Sequence, residues 1–170
     1  NNSNKFKILT KYSPTRKDFP KSIIDRVNNN LNILGVKNLY SYMFHSFHDY
    51  KKHFPFIKND LIRLKEESKI QKIGVSLHSN DEIEEVLKNN EIKLVQLPYN
   101  LLDNSNKREE VLKKAKYLGV EIHTRSVFLQ GLFFKNTNNL TGNLIGLKNE
   151  LIKLNNLIPK NKMNELALNY

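Results

Sequence analysis

Short apolar segments that each end in polar side chains recur five times along the chain. The clearest is residues 39–49, LYSYMFHSFHD, where a continuous apolar run leads into a polar cluster that begins at His45. The others are FKILTK, KIGVS, KLVQ and VEIHTRS, which start at residues 6, 72, 93 and 120. Parallel strands of a barrel or open sheet bring their carboxyl ends to one edge, where the site lies. A polar residue can simply mark the end of a strand, but five in succession favour a shared functional edge.

Amphipathic patterns between these segments predict helices. Ser22, Ser79 and Ser105 each precede such a pattern and are predicted to cap a helix, and Gly35 and Gly119 are predicted to end the first and the third of these helices. After the second strand we predict a loop over residues 45–53 and then an amphipathic segment at residues 57–64. Two further helices are predicted at residues 147–157 and 163–170.

Strands that alternate with helices predict an α/β protein with a parallel sheet and right-handed connections. A doubly wound sheet of five strands would suit the length of 170 residues, whereas a complete eight-stranded barrel needs at least about 200 residues. The first turn, ILTKYSP, has no glycine, so the phosphate loop of a doubly wound nucleotide-binding sheet is missing. This argues against the doubly wound sheet for the single domain predicted over residues 1–170; the alternative, a (β/α)8 barrel of the TIM type, would be incomplete at this length.

Composition narrows the classes of partner. The chain has no cysteine, which leaves no disulfide framework or thiolate metal site and favours a cytoplasmic protein. No apolar run approaches the roughly 20 residues of a membrane-spanning helix, so no membrane partner is expected. The net charge is +11, but the lysines are scattered and no run of five or six like charges occurs. Nucleic acid is therefore not the expected partner.

The succession ILTK, LYSYMFH, IGVS, VQLPYN, RSVFLQGLF and NELAL resembles the aldo-keto reductase family, from its third barrel strand to its seventh helix. The resemblance covers residues 6–170. It implies a (β/α)8 barrel that binds NADPH or NADH, with NADP favoured, and reduces a small carbonyl substrate by hydride transfer. Lys11 matches the lysine that lowers the pKa of the acid, and His45 matches the histidine that orients the substrate carbonyl.

The resemblance also implies a set of cofactor-binding residues. Ser76 and Gln96 match the pair that hydrogen-bonds the nicotinamide carboxamide. Arg125 stands where many members have a tyrosine stacked on the nicotinamide, and a guanidinium plane can stack in the same way. Ser126 and Phe128 match the start of the loop that lies along the pyrophosphate.

Several positions depart from the family pattern. Leu77 replaces an asparagine that contacts the carboxamide, and Tyr40 replaces an aspartate that supports the lysine. The general-acid tyrosine and its partner aspartate belong to a part of the barrel upstream of Phe6 and have no counterpart in the chain. Tyr12 lies at the wrong point of the pattern to replace that tyrosine. The eighth strand, with its basic loop for the 2'-phosphate, has no counterpart either.

Other interpretations remain open. His48, Asp49 and His53 invite a metal site, but their spacing matches no zinc pattern, and no metal is expected. A reduced barrel could be a noncatalytic binding or scaffold protein that self-associates through its open sheet edges. Lys11 could instead be a Schiff-base nucleophile of a barrel lyase or isomerase. The serine, the glutamine and the RSVFLQG segment favour the reductase.

Overall fold

The computed structural model describes residues 6–12, 14 and 22–169. Two compact units are distinguished, one formed by residues 1–97 and 109–123 and the other by residues 98–108 and 124–170. Helices and strands alternate in the first part of the chain, followed by 3-10 turns and two helices. The elements are β1 (Leu9–Tyr12), α1 (Ile23–Leu34), β2 (Leu39–Phe44), α2 (Phe47–Glu66), β3 (Ile70–Ser76), α3 (Asn80–Leu87), β4 (Ile92–Pro98), α4 (Ser105–Tyr117), β5 (Glu121–Arg125), α5 (Lys148–Leu157) and α6 (Met163–Asn169).

The five strands form one sheet in the order β1-β2-β3-β4-β5, and the three pairs from β1 to β4 are parallel. The predicted α/β class with five strands is therefore confirmed, and the second strand has the predicted bounds. The first strand was predicted from Phe6, but it begins at Leu9. Phe6 is 72% exposed and so contributes no burial that would extend the strand.

Capping explains where the first helices begin and end. The Ser22 hydroxyl accepts a hydrogen bond from Asp25 N at 3.1 Å, and Gly35 ends α1 in the left-handed conformation at φ 63°. Ser79 and Glu82 form the predicted capping box of α3.

The predicted cap of α4 is wrong by one residue. Ser105 is already helical, and it is the side-chain oxygen of Asn104 that accepts from Asn106 N at 3.1 Å. Asn104 also donates through its amide nitrogen to Leu101 O at 3.0 Å. An asparagine caps a helix as well as a serine does, so the pattern alone could not choose between these neighbours.

The loop predicted over residues 45–53 is helical from Phe47 onward. The Ser46 hydroxyl accepts from Asp49 N at 3.0 Å and donates to the Asp49 carboxylate at 2.8 Å, which fixes the start of α2. Pro55 lies inside this helix. The loop was predicted from the polar residues of this segment, although Phe47, Tyr50 and Phe54 recur at helical spacing. His48 and His53 are consequently helical residues.

One face of the sheet packs against helix α2 through aromatic rings. Tyr12 and Phe44 are partners in the β1–β2 register, and their rings meet edge to face at 5.5 Å. Phe44 also contacts Tyr50 and Phe54 of α2 at 5.7 and 6.0 Å. All four are at most 7% exposed. This apolar layer leaves the opposite face of the sheet for polar side chains.

The sheet of the first unit is curved, as contacts between distant strands show. Tyr40 on β2 hydrogen-bonds the carboxylate of Glu121 on β5, although β3 and β4 lie between them. In a flat sheet these strands would be about 14 Å apart, because neighbouring strands are spaced by about 4.8 Å. A sheet that curls toward one face brings such side chains together, as the wall of a barrel does.

The second unit has its own apolar core. Leu132, Phe133, Leu140, Leu151 and Met163 form this core. A buried Arg108 makes two bonds of 2.7 Å to the Asp103 carboxylate and ties the segment after β4. The helices predicted at residues 147–157 and 163–170 correspond to α5 and α6.

Candidate functional site

Residues at the carboxyl ends of β2, β3 and β4 form a polar row on one face of the sheet. Ser76 is paired with Gln96 in the β3–β4 register, so both side chains emerge on the same face. Met43 is paired with Gly74, so His45 and Ser76, each two residues further along, share this face as well. The backbone bond from His45 N to Tyr12 O, at 2.9 Å, continues the β1–β2 ladder up to this point.

Lys11 joins this row through its side chain. It is paired with Met43, which places it on the same face as His45. Its ammonium nitrogen lies 2.7 Å from Oε1 of Gln96. The bond spans β2 and β3 and again requires the curvature of the sheet. Lys11, His45, Ser76 and Gln96 are therefore brought to one edge of one face, as the sequence pattern predicted.

Burial differs along the row. Ser76 is 3% exposed, whereas Lys11 and His45 are exposed. Gln96 is partly buried. The row therefore combines a solvent-exposed region around Lys11 and His45 with a buried hydroxyl at Ser76. Such a site suits a ligand that has both a polar reacting group and a ring that becomes buried on binding.

Gly74 allows close packing beneath the row. A Cβ atom at this position would lie 3.0 Å from Met43 Cγ, 3.1 Å from Leu94 O and 3.1 Å from Ser41 Oγ. The Leu94 carbonyl belongs to the backbone and cannot move aside easily. The glycine of the IGVS segment therefore allows β3 to pack closely against Ser41, Met43 and Leu94 below the polar row.

Tyr12 lies on the other face and is not a member of the site. Its ring contacts Phe44 and also His53 of α2, at 5.7 Å from the His53 ring. Burial raises the pKa of the Tyr12 hydroxyl, and the nearby Arg26 guanidinium opposes this effect. Burial likewise raises the pKa of Tyr42 to about 12. Neither tyrosine has the position or the acidity of a general acid for the row.

The histidines of α2 do not form a metal centre. His53 is 8% exposed and packs against Tyr12, while His48 lies nearer the surface. Within the described residues, no group of three or more histidine or carboxylate side chains is placed to hold a metal ion.

Arg125, Ser126 and Phe128 lie in the second unit, at the end of β5 and in the following turn. Arg125 O accepts from Tyr99 N at 3.1 Å, and its guanidinium is 3.4 Å from the Ser126 hydroxyl. Phe128 packs on Phe134 with 5.7 Å between ring centroids. Ser126 has a left-handed backbone at φ 59°. These three residues are neighbours in one turn.

A second polar cluster, which the sequence interpretation missed, lies toward the amino-terminal ends of the strands. Glu121 bonds Lys72 and Tyr40, and it accepts from His123 Nε2 at 2.7 Å. Lys72 also donates to the Tyr40 hydroxyl at 2.7 Å. Tyr40 is thus a member of this cluster. Polar residues two apart in a strand, as at positions 121 and 123, were the signal available in the sequence.

Charge stabilises the ionised form of this cluster. Desolvation by itself would raise the pKa of Glu121, but hydrogen bonds from Lys72, Tyr40 and His123 outweigh it and lower the pKa to about 2. The bond to Glu121 raises the pKa of Lys72 in turn. The cluster is therefore a charged network at physiological pH, and its place away from the carboxyl ends indicates a structural role.

The row offers hydrogen-bonding groups for an amide on a ligand. The Ser76 hydroxyl can donate or accept, and Gln96 offers amide hydrogens beside it in the paired strand. The side chain of Leu77 is fully buried and apolar, so it adds no polar contact. The set therefore provides two polar contacts for a carboxamide.

Solved structures similar to this chain are aldo-keto reductases. AKR11C1 from Bacillus halodurans, in its holo form, matches 76% of the chain and 46% of its own length, with a TM-score of 0.63 and 22% identity. An aldo/keto reductase from Brucella melitensis matches 76% of the chain and 49% of its own length, with a TM-score of 0.56 and 21% identity. The chain thus spans about half the length of these proteins, and its fold is that of part of a (β/α)8 barrel. No curated protein sequence matches it.

The family comparison covers nearly the whole chain. The model of the aldo/keto reductase family matches residues 1–167. No helix in the described ranges has the length and apolar character to cross a membrane. On this match and on the arrangement of its strands, the chain belongs to the aldo/keto reductase family.

Proposed function

We propose that the chain functions in an NAD(P)H-dependent oxidoreductase that reduces a carbonyl group. The observation that carries the proposal is the convergence of Lys11, His45, Ser76 and Gln96 at the carboxyl ends of neighbouring strands. The nicotinamide cofactor, when bound, would supply the hydride. NADP is favoured over NAD by the family resemblance, and a cytoplasmic location stays a prediction from the sequence.

The proposed roles follow from the chemistry of each side chain. His45, exposed at the end of β2, can donate a hydrogen bond to the oxygen of a small carbonyl substrate and so polarise the carbon. The Lys11 ammonium supplies a positive charge at the same edge, which would favour an ionised phenol beside it. The proton donor that completes the reduction is not assigned to any described residue.

The remaining residues are proposed to position the cofactor. Ser76 and Gln96 would hold the carboxamide and so fix the ring face that meets the substrate, since reacting atoms must come within about 3–3.5 Å. Arg125, Ser126 and Phe128 are proposed to contact the ring and the pyrophosphate. One of the similar structures is a holo form, which agrees with a bound cofactor in the family.

The structure gives less support to a Schiff-base mechanism. A lysine nucleophile must lose its proton, and proteins achieve this by desolvation or a neighbouring cation. Lys11 is exposed and so is not desolvated, and its nitrogen already donates a 2.7 Å hydrogen bond to the Gln96 amide oxygen. Borohydride trapping with an aldehyde substrate should therefore leave Lys11 unmodified.

Titration with NADPH and NADH tests the proposal directly. We expect enhanced or quenched nicotinamide fluorescence on binding, and roughly three- to tenfold higher Kd for Ser76→Ala and Gln96→Ala. Lys93→Met is the control, because Lys93 is on the same strand as Gln96 and is not bonded to it. A folded protein that binds neither nucleotide would refute the proposal and favour the noncatalytic scaffold.

A further inference from the structure

The bond between Lys11 and Gln96 fixes the orientation of the glutamine amide. An ammonium group has only hydrogens to donate, so the amide atom that lies 2.7 Å from Lys11 Nζ must be the oxygen. An amide in solution can present either its oxygen or its NH2 group to a ligand. In this protein the charge-assisted bond selects one of these orientations.

This orientation leaves the NH2 group of the Gln96 amide available to a ligand. With Oε1 turned toward Lys11, Gln96 has its Nε2 hydrogens left for a further partner. Among the described side chains, none accepts a hydrogen bond from this nitrogen. Ser76 is paired with Gln96 and lies on the same face of the sheet, so one ligand can contact both side chains.

We propose that Lys11 is a positioning residue that holds Gln96 as a hydrogen-bond donor, so that the site recognises an acceptor on its ligand. The inference rests on the proposed function, in which the ligand is the nicotinamide carboxamide. In this proposal Gln96 donates a hydrogen bond to the carbonyl oxygen of that carboxamide and does not contact its NH2 group. The Ser76 hydroxyl can adapt to either half, and Leu77 contributes no polar group.

The acetylpyridine analogue of NADPH separates the two possibilities. It keeps the carbonyl oxygen of the carboxamide but carries a methyl group in place of NH2. If Gln96 donates to the carbonyl and the adaptable Ser76 hydroxyl donates there as well, the wild-type protein binds NADPH and the analogue with Kd values that agree within about twofold. If Gln96 accepts from the NH2 group, the analogue leaves a polar atom unpaired and binds roughly tenfold more weakly.

Two variants locate the cause in the Lys11–Gln96 pair. Lys11→Met frees the amide to turn, so the ratio of the two Kd values should rise roughly three- to tenfold in favour of NADPH. Gln96→Glu keeps a bond to Lys11 but offers only acceptors, and the same ratio should rise at least as much. Taking a ratio within each variant cancels the effect of the altered charge on nucleotide binding in general. Lys93→Met, with the same charge change as Lys11→Met and on the same strand as Gln96, should leave the ratio unchanged.

The ratio of the two Kd values distinguishes the proposal from its alternatives. A wild-type ratio near one that rises in Lys11→Met and Gln96→Glu supports the proposal. Binding of both nucleotides with a ratio that Lys11→Met does not alter overturns the role of Lys11 and leaves the proposed function standing. Failure of the folded protein to bind either nucleotide overturns both. A second measurement needs no nucleotide: the side-chain NH2 resonances of Gln96 should shift in Lys11→Met and not in Lys93→Met, and the absence of a shift contradicts the fixed amide.

Discussion

Gln130 has a left-handed backbone at φ 54°, in the turn that follows β5. Leu129 before it, at φ 45°, and Gly131 after it, at φ 81°, also have positive φ. Residues other than glycine pay roughly 1–2 kcal/mol for this conformation, because the side chain crowds the following carbonyl oxygen. Such strain is common in turns that contact ligands, which suits the proposed cofactor role of Ser126 and Phe128.

Replacing Gln130 with glycine should therefore stabilise the protein. We expect Gln130→Gly to increase the free energy of unfolding by about 0.5–1 kcal/mol, since relief of strain exceeds the added freedom of the unfolded chain. The measurement is the midpoint of urea unfolding. Gln130→Ala retains the strained conformation and should not stabilise. An equal gain in both variants would mean that the side chain, and not the backbone, is responsible.

His53 makes the stability depend on pH in a narrow window. Burial lowers its pKa, and the nearby charges of Lys52 and Arg26 add to this effect while Asp49 opposes it. An unfolded histidine has a pKa near 6.5, so below this value the unfolded state takes up a proton more readily than the folded state. Stability that is complete above pH 6.5 is then lost as the pH falls toward the lower, folded-state pKa.

A variant without the imidazole should lose this dependence. We expect unfolding midpoints of the wild type to fall as the pH drops below about 6.5, and those of His53→Phe to change less over the same interval. His48→Gln provides the control, because His48 lies on the same helix and is less buried than His53. Identical pH profiles for wild type and His53→Phe would refute the assignment.

At the scale of the helix, a single hydrogen bond decides where α4 begins. Asn104 accepts from Asn106 N and donates to Leu101 O, whereas Ser105 is within the helix. Asn104→Ala should lower the free energy of unfolding by about 0.5–2 kcal/mol, and Ser105→Ala by less than about 0.5 kcal/mol. Chemical denaturation of the two variants tests this. The reverse order of the two effects would restore the serine as the cap.

Elements with a local signal were predictable from the sequence, and those without one were not. Ser22 with Gly35, and Ser79 with Glu82, indicated correct helix limits because capping depends on a few neighbouring residues. The start of helix α2 was missed because the polar residues between 45 and 53 predicted a loop, whereas Tyr50 and Phe54 pack on the sheet there. Phe47, Tyr50 and Phe54 have helical spacing, but three aromatic residues among polar ones were too weak a pattern to outweigh the loop interpretation.

The candidate site likewise has features that the sequence predicts and features that it does not. The alternation of apolar strand and polar end is sufficient to predict that Lys11, His45, Ser76 and Gln96 share one edge of the sheet. Which of these side chains bond each other depends on the curvature of the sheet, because Lys11 and Gln96 are 85 residues apart in sequence and lie on β1 and β4. A pattern with a period of two residues carries no information about that curvature.

At the scale of the whole molecule, the cluster around Glu121 connects three strands. Tyr40 belongs to β2, Lys72 to β3, and Glu121 and His123 to β5, so the network ties the curved sheet across its concave side. β1 and β5 lie at the two ends of the strand order, and self-association through these edges remains a prediction. The network is the charged counterpart of the aromatic layer on the opposite face.

Removing the charge at Glu121 should weaken the fold in a pH-dependent way. The folded-state pKa of about 2 lies below that of an unfolded glutamate, so the ionised network stabilises the protein above about pH 4.5 and loses this contribution as the pH falls toward 2. Glu121→Gln leaves Lys72 without its anion and should cost about 1–3 kcal/mol at neutral pH, with a flatter profile in acid.

A surface ion pair provides the matched control for this change. Glu109 pairs with Lys113 on α4 at 2.8 Å, and both side chains are more than half exposed. Solvent screens such a pair, so Glu109→Gln should lower the free energy of unfolding much less than Glu121→Gln does and leave the acid profile intact. Urea unfolding of the two variants between about pH 7 and 3 makes the comparison. Equal losses in both would show that the cluster contributes no more than an exposed ion pair, and the curved sheet would then owe its stability to the aromatic layer and the apolar core alone.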